Sequence, residues 1–454
     1  MALGFKHAVA TRLAPMVSGA SGGGTEDARS HRPQSVSIGD ASTSDSSQRL
    51  VDAVGSLWPG AQFKVRRTGP ATGERSWLVL PSSSHPILLV PPSCRAASVT
   101  LQPKGTGRGE IVMRGLARLQ RSGLLRLLPV PRLVMERAPD DGAATAEAVL
   151  AEVVGPVDAV VVRLGRRRFN RALVLMPFDR EGRLVAVVKV ARGDAAREVL
   201  RREHETLVRA SRMDVPGLEI PQALAHLETD TLSYLVMTPL TSTTVNRPEP
   251  IPVKQMTALA DQGPRSAAPL RDTPAVTRLR QRASSLDDPA QRAWTTAALD
   301  DLLAELGDVG VPRGAWHGDW VPWNMAREGQ KVLLWDWEHF HLQGLYGWDH
   351  LHYLAQYLRT SRGRTPAVED VWVAEGKRAL SDHWNLDELQ QTAVLRAYLL
   401  EINLRYLHDR QEDPLDAPAR AGWARELVER LGGRGRVDED GRGLQAAAGG
   451  ESGS

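Results

Sequence analysis

AWHGDWVPWNMAREGQKVLLWDWEHF, residues 315–340, is the stretch on which the fold turns. It opens with His317-Gly318-Asp319 and reaches Asn324 five positions after the aspartate. A polar turn, Arg327 to Gln330, follows, and an apolar run, Val332 to Trp335, delivers Asp336. Two short strands around a polar turn make a hairpin, so Asn324 and Asp336 are expected at the same end of its two arms. One brings a neutral carbonyl oxygen and the other a carboxylate. Both are hard ligands of the kind magnesium takes. Asp319 sits at the loop start, placed to face another group. An HGD triplet alone is a weak signal. The triplet with Asn at plus five and Asp-Trp-Glu after an apolar run is a strong one.

Protein kinases use the same order and offset: a loop aspartate, an asparagine five residues on, and a metal-binding aspartate after a short hairpin. Phosphoryl transfer from ATP to a hydroxyl needs those parts, a carboxylate near the attacking oxygen and oxygen ligands for magnesium. HGDWVPWN followed by LLWDWE resembles the catalytic and metal-binding segments of the aminoglycoside phosphotransferase-like family, which includes choline, homoserine and sugar kinases. The resemblance covers roughly residues 158–410 and is firmest near 315–350. It implies that Asp319 is the catalytic base or orienting aspartate and that Asn324 and Asp336 bind Mg2+. It also implies that His317 braces the loop. Asp349, in GLYGWDHLHYL, resembles the family's structural aspartate, expected to cap a helix or hold the catalytic loop.

A kinase also needs a cation on the ATP phosphates, held by a helix glutamate. Lys189 ends the apolar run VAVVKVA, which resembles the VAIK strand of kinases. The bland alternative is an edge-strand lysine facing water. Its partner is expected on the next helix, where Glu203 and Glu205 are both candidates. Glu203 is preferred because Leu207 follows it four residues later, and Glu198 is a third choice. YLVMTPL, 234–240, resembles the hinge between kinase lobes. That would put Met237 behind the adenine, with backbone groups of Thr238 and Leu240 on its edge. The turn Gly165-Arg-Arg-Arg-Phe-Asn170 stands where protein kinases carry a glycine-rich loop. Its arginines either touch phosphates or form a solvated basic turn.

Outward from these motifs, strands are expected at 159–164, 171–178, 183–191 and 231–240, with a helix at 197–210. The turn Asp179 to Gly182 makes a hairpin of the second and third strands. Six helices are expected at 252–262, 274–285, 288–306, 347–360, 367–380 and 386–408. This is an α+β class fold: a bilobal protein-kinase-like arrangement with a strand-rich N-lobe (150–240) and a helical C-lobe (241–431). Residues 48–135 form an extra N-terminal α/β region, with strands at 76–80, 86–90 and 98–101 and a helix at 110–127. It is expected to pack separately. LVLPSSSHPILLV (78–90) faintly echoes LVLMPFDREGRLVAVV (173–188), as a degenerate N-lobe copy or as chance similarity between two hairpins. Residues 1–47 and 432–454 have almost no large apolar side chains outside the first dozen or so positions and are expected to be disordered.

Composition is that of a soluble globular protein: 454 residues, 42% hydrophobic and 24% charged. The net charge of +3 is small and no basic run has aromatics spaced through it, which argues against a nucleic-acid partner. No stretch approaches the roughly 18–20 apolar residues of a membrane helix, so no membrane partner is expected. One cysteine, Cys94, excludes an internal disulfide and fits a reducing compartment, hence a cytoplasmic location. The expected cofactors are ATP and Mg2+, the partner a small-molecule hydroxyl acceptor of sugar, aminoglycoside or amino-alcohol type. Other readings are a catalytically silent nucleotide-binding pseudokinase scaffold, and a protein kinase, against which the lack of DFG and APE segments weighs. His317, Asp319 and the nearby His339, His341, His350 and His352 could instead ligate a hydrolase metal, but their spacing matches no zinc set. Trp316, Trp320, Trp323, Trp335 and Trp337 are read chiefly as anchors around a rigid loop, and Glu338 as a metal contact or a local ion pair.

Overall fold

The structure, a computed structural model, describes residues 39–67, 74–83, 86–101, 108–164, 173–242, 249–264, 266–363, 365–412 and 418–432. The expectations for residues 1–38, for the arginine turn 165–170 and for the tail from 433 lie outside the described residues. The chain divides into two compact units: Met1–Val208 with Pro221–Val245, and Arg209–Ile220 with Asn246–Ser454. The first is rich in strands and the second in helices, as the α+β reading requires.

The first unit is built on one sheet. Its strands are β1 (Gln62–Arg66), β2 (Ser76–Pro81), β3 (Pro86–Val90), β4 (Arg132–Arg137), β5 (Ala159–Arg163), β6 (Leu173–Phe178), β7 (Val187–Arg192), β8 (Ala223–Glu228) and β9 (Leu232–Met237). They lie in the order β1-β4-β2-β3-β5-β6-β7-β9-β8. Successive strand side chains point to opposite faces, and the core divides accordingly. Trp77, Val79, Val160 and Val162 belong to one apolar cluster, while Leu78, Leu80, Ala159 and Val161 belong to the other. The first cluster also holds Leu50 and Val54 of helix α1 (Gly39–Gly55), Leu57 just after it, and Val149 and Leu150 of α3 (Ala146–Val154). The second holds Ala117 of α2 (Arg108–Ser122) with Ala97 and Leu101. Helix α4 (Asp194–Ala210) follows β7.

Three expectations change here. The region 48–135 is not a separate body, because β3 pairs antiparallel with β5 through Leu88↔Arg163 and Leu89↔Val162. The apolar alternation that marks these strands says nothing about which strand is the partner. Ser98–Leu101 is not a strand but the end of a 3-10 helix, Arg95–Leu101. Its buried residues Ala97, Ser98 and Leu101 recur at helical rather than alternating spacing, and the Thr100 hydroxyl donates to the Ala97 carbonyl at 2.7 Å. The expected disorder of 1–47 does not hold over 39–47, since α1 starts at Gly39. Its C-terminal half docks Leu50 and Val54 in the core, and that packing sustains a helix its polar first turns would not.

In the second unit the helices are α5 (Val253–Ala260), α6 (Pro274–Ser284), α7 (Pro289–Leu306), α8 (Trp348–Arg362), α9 (Pro366–Trp384), α10 (Glu388–Glu412) and α11 (Pro418–Leu431). Three start alike. Thr273, Asp288 and Thr365 each cap a helix whose next residue is proline, and each side chain accepts from a backbone N–H of the first turn. Proline at the first helical position loses nothing, because its missing N–H would have been an orphan there. Helix α10 is buried at every residue from Ala393 to Leu407. That is the signature of a central helix, and Glu401, Asn403 and Arg405 go into the interior with it. The strands are β10 (Ala267–Pro269), β11 (Gly310–Trp316), β12 (Met325–Glu328), β13 (Lys331–Leu334) and β14 (His341–Leu345). Among the described residues, no helix is long and apolar enough to cross a membrane.

Candidate active site

Strand β11 runs directly into His317-Gly318-Asp319. Gly318 has φ +85, and a Cβ on it would stand 2.4 Å from the His339 carbonyl oxygen, so only glycine fits. Asp349, in the first turn of α8, holds the loop backbone. Its carboxylate accepts from the N–H of His317 at 2.9 Å and of Gly318 at 3.0 Å. Burial pushes this carboxyl up to about 7, opposed by those two backbone donors and by Arg405. Arg405 of α10 donates to the Gly318 carbonyl and is itself held by Glu401, 3.5 Å away. The His317 ring is buried and accepts from the Asp319 N–H at Nδ1, 3.2 Å. Burial lowers its imidazole to about 4, so it braces the loop as a neutral ring.

Asp319 is 8% exposed. Its Oδ2 accepts from Asn324 Nδ2 at 2.7 Å, and the same nitrogen donates to the Asp319 carbonyl at 3.0 Å. Its Oδ1 lies 3.2 Å from His352 Nε2 of α8. The β12–β13 hairpin pairs Met325 with Leu334, and the Trp335 N–H donates to the Asn324 carbonyl at 3.1 Å. Asn324 and Asp336 therefore flank one end of the hairpin, as the sequence implies. Asp336 has φ 72, left-handed backbone that a non-glycine residue adopts at some cost. Such outliers concentrate at functional sites. Among the described residues, no three His, Cys, Asp or Glu side chains converge as a metal cage. Two hard oxygens without a cage are what Mg2+ takes when phosphates and water complete its shell, so the donor set fits Mg·nucleotide.

The other histidines are engaged elsewhere. His341 stacks on Trp316, His350 stacks on His383 and accepts from Trp384 at 3.4 Å, and His339 stands 3.4 Å from Glu338. Trp316, Trp320, Trp335 and Trp337 are buried around the loop, and Trp323 is partly exposed.

In the first unit, Lys189 lies on β7 opposite Leu235 of β9 and reaches Glu203 of α4 with both carboxylate oxygens, at 2.6 and 2.7 Å. Glu203 is 1% exposed and lies in the buried stripe of α4 with Leu200 and Leu207. Glu205 pairs with Arg201, and Glu198 with Arg201 and Arg202, all on the exposed side. The helix period thus sorts three glutamates that composition could not. Met237 is buried at the end of β9. The Thr238 N–H goes to the Gln222 carbonyl at 2.9 Å, and Leu240 is buried two residues on.

The motifs give no role to Arg405, Glu401 and Tyr398, and they offer His352 only as a possible metal ligand, not as a partner of Asp319. For Glu401 and Arg405 the sequence holds a signal, since they are charged residues within the largely apolar run of α10 from Ala393 to Leu407.

No protein-family model and no curated protein matches the chain. Among solved structures it is similar to aminoglycoside phosphotransferase APH(4)-Ia, at 16% identity and TM-score 0.44, over 64% of this chain and 98% of that one. It is also similar to choline kinase LicA from Streptococcus pneumoniae, at 14% identity and TM-score 0.40, over 63% of this chain and 96% of that one. The amicoumacin kinase hAmiN, solved with AMP-PNP and Ca2+, aligns at 11% identity and TM-score 0.39, over 57% of this chain and 86% of that one. At such values the likeness carries no argument for function, which rests on the residues themselves.

Proposed function

We propose that this protein is an ATP- and Mg2+-dependent phosphotransferase that moves the γ-phosphoryl group to a hydroxyl of a small molecule of sugar, aminoglycoside or amino-alcohol type. The observation that carries the reading is the Asn324 amide. Its nitrogen fixes Asp319 at 2.7 Å, and its backbone stands at the hairpin end that leads to Asp336, where the Trp335 N–H donates to the Asn324 carbonyl. A loop with this wiring gives one carboxylate to the acceptor and two oxygens to a divalent cation. Bound there, Mg2+ would neutralise charge on the phosphates.

Asp319 orients the acceptor hydroxyl and takes its proton as the oxygen attacks phosphorus. The new P–O bond forms while the bond from the γ-phosphorus to the bridging oxygen breaks, and ADP departs with that electron pair. Lys189, steadied by Glu203, would bind ATP phosphates. With its N–H spent on Gln222, Thr238 would meet adenine through its carbonyl, and Leu240 through its N–H. The setting is cytoplasmic, where ATP and magnesium are supplied.

The test is a pair of variants assayed against a panel of hydroxylated metabolites. Asp319→Asn keeps size and removes the proton acceptor, so kcat should fall roughly 10²- to 10⁴-fold with ATP binding near normal. Asp336→Ala removes the charged metal ligand and should cripple Mg·ATP binding instead. Full turnover by Asp319→Asn would refute the assignment. A wild type that binds Mg·ATP and phosphorylates nothing would point to the silent scaffold.

A further inference from the structure

We infer that His352 and Tyr398 set the orientation of Asp319, which makes His352 a positioning residue of the transfer site. The inference rests on the phosphotransfer reading above and adds to it a role for a residue that GLYGWDHLHYL carries without one.

Three side chains from three segments form a line. His352 Nε2 is 3.2 Å from Asp319 Oδ1, and His352 Nδ1 is 3.0 Å from the Tyr398 hydroxyl. His352 comes from α8 and Tyr398 from α10, and both are buried. The hydrogens follow from what each partner can offer. Burial holds the Tyr398 phenol far above its ordinary value, so it keeps its proton and can donate. An ionised Asp319 can only accept, so the 3.2 Å contact places a ring proton on Nε2, and in the neutral ring Nδ1 then accepts from Tyr398. A ring nitrogen's partner commonly decides the tautomer in this way. Asn324 donates to the other oxygen of the same carboxylate, so its plane is set from both sides. A carboxylate has about four lone-pair sites, so two donors leave it able to take a hydroxyl proton.

A purely structural histidine is the rival account, and α8 supplies the contrast. Among the described residues, His350 stacks on His383 and accepts from Trp384, while His352 meets the carboxylate placed for the acceptor. Asp349 and His352 stand three apart on the same face of α8. The first holds the loop backbone and the second its reacting side chain.

The experiment uses the full chain with His352→Gln, His352→Leu and Tyr398→Phe. Transfer is followed on an acceptor from the metabolite panel and, without acceptor, as Mg·ATP hydrolysis with water in the hydroxyl's place. For His352→Leu, kcat should fall roughly 10- to 100-fold, the scale of outer partners at other sites, with KM for ATP within about twofold. His352→Gln, whose amide can still donate, should recover most of that loss, and Tyr398→Phe should show a smaller one. In wild-type protein with ¹⁵N-labelled histidine, His352 should show a protonated Nε2 whose signal moves in Asp319→Asn. This measurement decides the matter even if His352→Leu does not fold. A wild type with no transfer to any hydroxyl or to water defeats the phosphotransfer reading and this one with it. An active wild type with the proton on Nδ1, or His352→Leu with unchanged kcat, defeats this inference alone.

Discussion

Asn324 binds Asp319 twice with one nitrogen, at the carbonyl and at Oδ2. Changing that nitrogen to an oxygen should show how much of the site depends on the bond. Asn324→Asp would set two carboxylates against each other, and like charges at this range disfavour ionisation. The acid limb of the kcat–pH profile should move to higher pH, and Asn324→Ala, which removes the donor without adding a charge, should move it the same way by less. A profile identical to wild type in Asn324→Asp would refute the pairing.

Lys189 was open to reading as an edge-strand lysine, whose removal would change stability by no more than about ±0.5 kcal/mol. Its contact with the almost fully buried Glu203 predicts otherwise. Removing one partner of such a pair strands the other, at a cost of about 3–5 kcal/mol. Lys189→Ala should lower the melting temperature as well as ATP use. The double variant Lys189→Met/Glu203→Leu, which strands neither charge, should recover stability and leave ATP use impaired. Calorimetry and ATP titration of the two proteins separate these effects.

The pairing of β3 with β5 predicts that the strands before residue 150 cannot be dispensed with. A chain starting at Asp158 would leave β5 with an open edge and would strip Leu50, Leu57, Trp77 and Leu89 from the first core cluster. Each such side chain contributes roughly 1.5–3 kcal/mol when buried. The truncated protein should be insoluble or unfolded by circular dichroism. A soluble, cooperatively melting truncation would show that the two halves of the sheet are independent.

Burial holds the imidazoles of His317, His341 and His350 down to about 4, against 6.5 ordinarily. Between those values the unfolded chain binds more protons, so this stability is present above 6.5 and lost as pH falls toward 4. Asp349, raised to about 7, acts oppositely, and its contribution is lost as pH rises from about 4 to 7. Three imidazoles against one carboxyl leave stability rising with pH between about 5 and 6. His350→Gln should flatten the dependence of melting temperature on pH in that window. An unchanged slope would mean that His350 is protonated in the folded protein.

How much was legible in sequence follows from separation along the chain. His317, Asp319, Asn324 and Asp336 lie within one hairpin and its approach, so local spacing alone brings them together. Lys189 and Glu203 are 14 residues apart, within reach of strand and helix periodicity. His352 meets Asp319 across 33 residues, and Arg405 meets Gly318 across 87. Those contacts depend on how α8 and α10 pack, which no local pattern encodes. The same holds for β3 and β5, where alternation announces two strands and is silent on their adjacency.

The indoles around the loop give the protein an optical probe of its own. The chain has 12 tryptophans, and five of them fall in residues 315–340. Trp337 lies 4.8 Å from the His317 ring, and Arg405 sits 5.2 Å from Trp316. Charges and ring dipoles this close tune indole emission, so unlabelled protein should report the arrival of a cation or nucleotide as a shift in fluorescence. Single Trp→Phe replacements would then assign the signal to one side of the loop or the other.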